Sequence, residues 1–160
     1  MQGFIQILSK KAILITYKRK KIKIMIEELK SKFERVMIID DNFTDLYISS
    51  RIIIKNNFGK KVLEYSSGKE ALKYLQDHQE NIALLPEVIF IDIYMPLMSG
   101  FEFLEEYNKL SPTLKRYCKA FIISSTIDDF DIVRSSIDQN VVFFQVKPIT
   151  KEFLKLINAH

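Results

Sequence analysis

The sequence is poor in the residues on which many catalytic and extracellular folds depend. A single cysteine, Cys118, stands among 160 residues, which excludes an internal disulfide framework and any cysteine-cluster metal site. With no histidine pattern near it, Cys118 reads as a packed or surface thiol. Histidine occurs twice, His78 in a helix-like stretch and His160 at the last position, neither with a nucleophile or second ligand beside it. Both read as structural or solvated. The one apolar run of the N-terminal arm, Ala12 to Tyr17, falls far short of the ~20 residues that span a bilayer, and it lies between basic clusters, unlike a secretory signal. Membrane insertion is therefore not expected, and a cytoplasmic protein is. Repeats and low-complexity linkers are missing too. What remains is one domain's worth of ordinary globular composition, 48% hydrophobic and 28% charged.

The formal charge of +4 misleads about that domain. Met1 to Ile24 carries seven Lys or Arg and no acid, which leaves 17 basic against 20 acidic residues from Met25 onward. The body is mildly acidic and only the arm is basic. Such an arm could meet nucleic acid or an anionic membrane, but a solvated extension is the simpler reading.

What the chain does have is three carboxylates, each where an apolar run gives way to polar or turn residues. Asp40 and Asp41 close Val36-Met37-Ile38-Ile39, and Asp92 follows Val88-Ile89-Phe90-Ile91. Continuous apolar runs of this length fit strands buried on both faces, and the carboxyl ends of such strands are where open α/β sheets build their sites. Two like charges about 4 Å apart repel by roughly 4 kcal/mol at an effective dielectric of about 20, and a third adds to this. A divalent cation would relieve it.

Along the chain, a charged helix or linker over Glu27 to Glu34 leads into a strand at Arg35 to Ile39. A helix from Asn42 to Asn57, capped by Asn42 or Thr44, ends before Gly59. Then come a strand at Lys61 to Tyr65, a helix for which Ser66-Ser67-Gly68 offers a cap and which runs to about Gln79 with Ala71, Leu72 and Leu75 inward, and a strand at Glu87 to Ile91. Pro96 and Gly100 bracket a turn, Phe101 to Leu110 makes a third helix, and Pro112 stops it. Ala120 to Ile123, Asp128 to Asp138, Val141 to Val146 and Thr150 to Asn158 read as strand, helix, strand, helix, with Asp128, Asp129, Asp131 and Arg134 marking the exposed start of the first of these helices. Strands alternating with helices through short connections argue for a parallel sheet covered on both faces, in five βα units.

A hydrophobic strand ending in Asp-Asp, a second ending in Asp and followed by Met-Pro-x-x-x-Gly, a strand ending in Ser, and a strand ending in Lys-Pro follow one another in that order. Each is weak alone, but the series resembles the response-regulator receiver domain of two-component signalling, over about Arg35 to His160, behind an extension of residues 1–34. The resemblance implies a flavodoxin-like, doubly wound five-stranded sheet of order 2-1-3-4-5. It implies that Asp92 is the phosphoacceptor, a carboxylate attacking a phosphohistidine of a histidine kinase or histidine phosphotransfer protein. Asp41 and Asp92 would ligate Mg²⁺ (or Mn²⁺) directly, Asp40 through water, and the Tyr94 backbone carbonyl would add an oxygen. Lys147 would pair with Asp92 or its phosphoryl group, aimed by a cis Lys147-Pro148 peptide. Ser124 would swing its hydroxyl to the phosphoryl group, and Phe144 would turn inward with it as the switch aromatic, with Phe143 on the opposite face.

By the same resemblance the protein is a signalling domain rather than an enzyme, a stand-alone adaptor or phosphorelay intermediate with an unknown downstream target, monomeric or dimerising on phosphorylation. The acidic body argues against direct DNA binding. Tyr94 and Thr126, two residues beyond Asp92 and Ser124, depart from the commonest pattern, and bulky Tyr94 is expected to slow attack of water on an acyl phosphate. A haloacid-dehalogenase-like phosphatase would want a second Asp where Tyr94 stands, and a module that is never phosphorylated would not need every site carboxylate and the lysine.

Overall fold

A computed structural model describes residues 31–126 and 128–158, together with Lys20. The chain divides into two units, Met1–Ser31 and Lys32–His160, and the described residues belong almost entirely to the second. Apart from Lys20, the basic arm lies outside them, as does the Glu27 to Lys30 part of the expected lead-in.

Five strands, β1 (Phe33–Ile39), β2 (Gly59–Tyr65), β3 (Val88–Asp92), β4 (Lys119–Ser124) and β5 (Val141–Val146), form one parallel sheet in the order β2-β1-β3-β4-β5. Among the described residues beyond Ser31, six helices accompany them: α1 (Phe43–Lys55), α2 (Gly68–His78), α3 (Gly100–Tyr107), α4 (Pro112–Tyr117), α5 (Asp129–Ile137) and α6 (Lys151–Asn158). This is the flavodoxin-like architecture expected from the sequence. Among the described residues no helix is long and apolar enough to cross a membrane.

Side-chain alternation splits the strands between two cores. Met37, Ile39, Ile89, Ile91, Ala120 and Ile122 face α2, α3 and α4, meeting Leu75, Phe103, Tyr107 and Leu114. Val36, Ile38, Val88, Phe90, Phe121 and Ile123 face α1 and α6, meeting Leu46, Ile53, Phe153 and Leu154. Burial of each large aliphatic or aromatic side chain contributes about 1.5–3 kcal/mol, so the central strands anchor the molecule. Cys118 is buried in the first core, which pushes its thiol up to about 12.

Four expectations need correction. Strand β1 begins at Phe33, so the last two residues of the expected lead-in belong to the sheet. Helix α1 ends at Lys55 through Asn57, whose φ of 53° takes the left-handed position, while Gly59 opens β2. A Cβ there would stand 2.6 Å from Val36 Cγ2, so the glycine answers to close strand packing. The third helix stops at Tyr107, and Pro112 starts a helix instead of only ending one, because Ser111 caps it and Pro at the first turn loses no hydrogen bond. Asp131 is not exposed but 7% accessible.

Candidate acidic site at the carboxyl edge of the sheet

The register builds the site. Ile39 of β1 pairs with Ile91 of β3, so the next positions, Asp40 and Asp92, emerge side by side from two adjacent strands. Both follow the alternation of Ile38 and Phe90 and turn toward the α1 and α6 side. Asp41, one residue on, begins the turn into α1, whose N-cap Asn42 accepts from the Thr44 and Asp45 amides. One carboxylate oxygen from each of Asp40, Asp41 and Asp92 lies within 4.8 Å of the others.

Lys147 follows β5 directly. Its amide donates to the Ser124 carbonyl at 2.7 Å, continuing the β4–β5 ladder, and the Lys147-Pro148 peptide is cis. The ammonium stands 2.6 Å from Asp40 Oδ2, 3.1 Å from Asp92 Oδ1 and 2.9 Å from Asp45 Oδ2. Only the Asp45 contact has the alignment of a hydrogen bond; Asp40 Oδ2 and Asp92 Oδ1 are buried and accept none. Asp40 Oδ1 accepts from the Asn42 amide at 3.0 Å.

Burial raises both Asp40 and Asp92 above the usual carboxylate range, with Lys147 working against the rise in each. Burial opposes the charged form of Lys147 as well, but its close contacts with the Asp40 and Asp45 carboxylates and the charge of Asp92 outweigh it and raise the ammonium. The pocket thus holds more negative charge than one lysine neutralises. Two buried carboxylate oxygens without a hydrogen bond, beside a third acid within reach, are a hard-oxygen set that fits Mg²⁺ or Mn²⁺.

The remaining candidates lie around this centre. Ser124 is wholly buried at the end of β4, and its hydroxyl accepts from the Thr126 amide at 3.2 Å. Phe144 is half-buried and lines a cleft of about 380 Å³ with Ile132, Ser135, Ser136 and Val141 to Phe143, while half-exposed Phe143 packs its ring on Phe153 across the sheet. The Tyr94 side chain is half-exposed, and its hydroxyl donates to Asp131 Oδ2 at 2.5 Å, which ties the loop after β3 to α5. That carboxylate raises the Tyr94 phenol, and the Thr126 hydroxyl beside it works the other way.

The loop also explains the Met-Pro-x-x-x-Gly spacing. Gly100 donates its amide to the Ile93 carbonyl at 2.9 Å, and a Cβ on it would stand 2.4 Å from the Asp92 carbonyl oxygen. Only glycine lets α3 start so close to the acidic strand end. Asp45 escaped the sequence reading, and Asp131 entered it only as an exposed residue. Each lies in the first turn of a helix, where a carboxylate is expected for the dipole alone; the available signal for Asp45 was that Asp40, Asp92 and α1 share one side of the sheet.

A parallel doubly wound sheet with clustered acids and a lysine at its carboxyl edge defines a class of α/β domains. Within it, a model of the response regulator receiver domain matches residues 36–158, and the chain belongs to that family. It is 27% identical over 120 residues to the probable methanogenesis regulatory protein FilR2 of Methanothrix harundinacea, covering 75% of this chain and 76% of that one. Of other curated relatives it spans only 16% to 31% of the length. A two-component response regulator from Cytophaga hutchinsonii shares the fold with a TM-score of 0.75 at 23% identity, covering 80% of this chain and 96% of the other. The Mn²⁺-bound form of response regulator Rcp1 shares it with a TM-score of 0.61 at 20% identity, covering 79% and 90%. The protein contains the receiver domain of a two-component response regulator.

Proposed function

We propose that Asp92 accepts a phosphoryl group from a phosphohistidine of a histidine kinase or histidine phosphotransfer protein in the cytoplasm, and that the acyl phosphate alters the domain's own surface. The observation that carries this reading is the convergence of Asp40, Asp41 and Asp92 within 4.8 Å, with Lys147 3.1 Å from Asp92. In the transfer an Asp92 carboxylate oxygen forms a bond to phosphorus while the phosphorus–nitrogen bond breaks, its electron pair returning to the imidazole. Water attack on phosphorus later releases phosphate and restores the carboxylate. A Mg²⁺ or Mn²⁺ ion held by Asp41, Asp92 and the Tyr94 carbonyl, with Asp40 behind a water, would supply neutralisation of the charge on the phosphoryl oxygens. Lys147 balances the remaining charge from the other side.

Signalling then follows from the new dianion. The Ser124 hydroxyl leaves the Thr126 amide for a phosphoryl oxygen, a charge-assisted and therefore stronger bond. Phe144 turns into the cleft beneath α5, and the surface of α5, β5 and α6 changes partners. The domain acts as adaptor or relay intermediate, as monomer or phosphorylation-dependent dimer, without binding DNA itself. Incubation with acetyl phosphate and Mg²⁺ tests the reading: intact mass should rise by one phosphoryl group, and the gain should vanish in Asp92→Asn. Steady turnover of phosphate esters instead would make the protein a phosphatase. Phosphotransfer profiling against histidine kinases, with light scattering before and after beryllofluoride, separates adaptor from relay and monomer from dimer.

A further inference from the structure

The Lys147 ammonium donates its aligned hydrogen bond to Asp45, the carboxylate farthest outside the acidic cluster. Asp40 Oδ2 at 2.6 Å is nearer and Asp92 Oδ1 at 3.1 Å slightly farther, and both are ion-paired with Lys147, but only Asp45 Oδ2, at 2.9 Å, meets the ammonium in hydrogen-bond alignment. Asp45 belongs to another element, 102 residues away in sequence, and its position is fixed. Its amide donates to the Asn42 cap at 3.3 Å, and the next residue, Leu46, is buried in the α1 side of the core. Favour from the helix dipole explains a carboxylate in this turn, but not one aimed at the strand-five lysine. Its side chain is 36% accessible against 1% and 5% for Asp40 and Asp92, so Asp45 regains water when it lets go, and they do not.

We infer that Asp45 is a positioning residue for Lys147 and competes with the phosphoryl group for its ammonium, so that it lowers the occupancy of the phosphorylated state. This rests on the reading of Asp92 as acceptor. Before phosphorylation, the ammonium is shared among Asp40, Asp92 and Asp45, and Asp45 holds its aligned hydrogen bond and draws part of its charge away from the two buried acids. Once a phosphoryl dianion is present, Lys147 can turn to it only by giving up Asp45, whose own charge also repels the newcomer. Two opposite effects on affinity follow from one substitution. Without the Asp45 charge, Lys147 settles on Asp40 and Asp92 and hinders the metal; it is also already released toward the phosphoryl position.

The full-length wild type, Asp45→Asn and Asp45→Ala are titrated calorimetrically with Mg²⁺ alone and then with beryllofluoride at saturating Mg²⁺, and the Lys147 side-chain nitrogen is followed by NMR in metal-free protein. Loss of one charge-assisted hydrogen bond predicts Mg²⁺ binding weakened about twofold to fivefold and beryllofluoride binding strengthened about threefold to tenfold. In the metal-free variants the Lys147 resonance should shift. A structural role alone would weaken both ligands together and overturn the inference, as would wild-type values for both in variants that fold. If wild type itself takes up no beryllofluoride, the acceptor reading falls and this inference with it; wild-type uptake with unchanged variants removes Asp45 only.

Discussion

The two sides of the sheet are built differently. Val36 to Ile39 of β1 are inaccessible, and every residue of β3 from Val88 to Asp92 is buried; these strands carry the three acids. At the other side, every residue of edge strand β5 is at least partly exposed, with Val142 and Phe143 about half so. Helix α5 presents Asp131 and Ser135 inward, while Phe130 and Val133 are 71% and 56% accessible. Polar bonds hold α5 to the body: Tyr94 to Asp131, Asn108 to Asp138 at 2.8 Å, and Arg134 to Glu105 at 3.2 Å with its guanidinium over the Phe101 ring. A helix held by packing cannot move without opening a cavity, whereas net contributions of about 0.5–1.5 kcal/mol per hydrogen bond lie within what one added phosphoryl charge can redistribute. The acids sit on the side that cannot yield, and the switch on the side that can.

That contrast breaks most readily at its two rings. Phe90, inaccessible and in ring contact with Phe58, Phe121 and Phe153, should cost about 3–5 kcal/mol of stability as Phe90→Ala. Half-exposed Phe143 should cost about 1 kcal/mol or less as Phe143→Ala. Equal losses in chemical denaturation would show the edge to be as firmly packed as the centre. Gly100→Ala comes next: with its Cβ forced to 2.4 Å from the Asp92 carbonyl oxygen, overpacking should cost up to about 3 kcal/mol and weaken Mg²⁺ binding alongside. Unchanged Mg²⁺ affinity would mean that the strand end tolerates displacement.

Smaller and more local is the bond between loop and helix. Tyr94→Phe leaves the Asp131 carboxylate without its donor and should speed amide exchange across α5 with α1 to α3 unaffected. Exchange that quickened uniformly would refute a separately held helix. Tyr94→Asn tests the chemical side of the same residue: it should hydrolyse its acyl phosphate faster than wild type, and an equal rate would remove Tyr94 from control of lifetime.

Legibility follows the same division. A parallel sheet covered on both faces and the strand-end positions of Asp40, Asp41, Asp92 and Lys147 were readable because strands buried on both faces leave continuous apolar runs that end where the site begins, whereas the strand order came from the family resemblance. The packed face of α3, with Phe103, Leu104 and Tyr107 buried, was readable from helical spacing, and Leu110, expected on the same face, is buried just beyond the helix end. In α1 the apolar residues Phe43, Tyr47 and Ile54 fit the helical period yet are exposed, while Leu46, Ser49 and Ile53 form the inner stripe; composition supplied more apolar positions than one face can bury. The contacts of Asp45 and Asp131 were not legible, since both depend on where a residue distant in sequence arrives.

The loop between β3 and α3 offers the finest division of the rigid side. Leu97 there is 90% accessible and holds φ at 67°, a left-handed conformation that costs a branched residue about 1 kcal/mol. Leu97→Asn, whose side chain tolerates that region, should therefore stabilise the fold by about 0.5 kcal/mol. Leu97→Gly relieves the same strain but adds about 0.5–1 kcal/mol of chain entropy to the unfolded state, so it should be nearly neutral. Thermal unfolding of the pair checks the order Asn above Gly and wild type. A loss in Leu97→Asn would mean that the exposed leucine makes a stabilising contact, and the loop would then belong with the packed centre rather than with a strained tip set upon it.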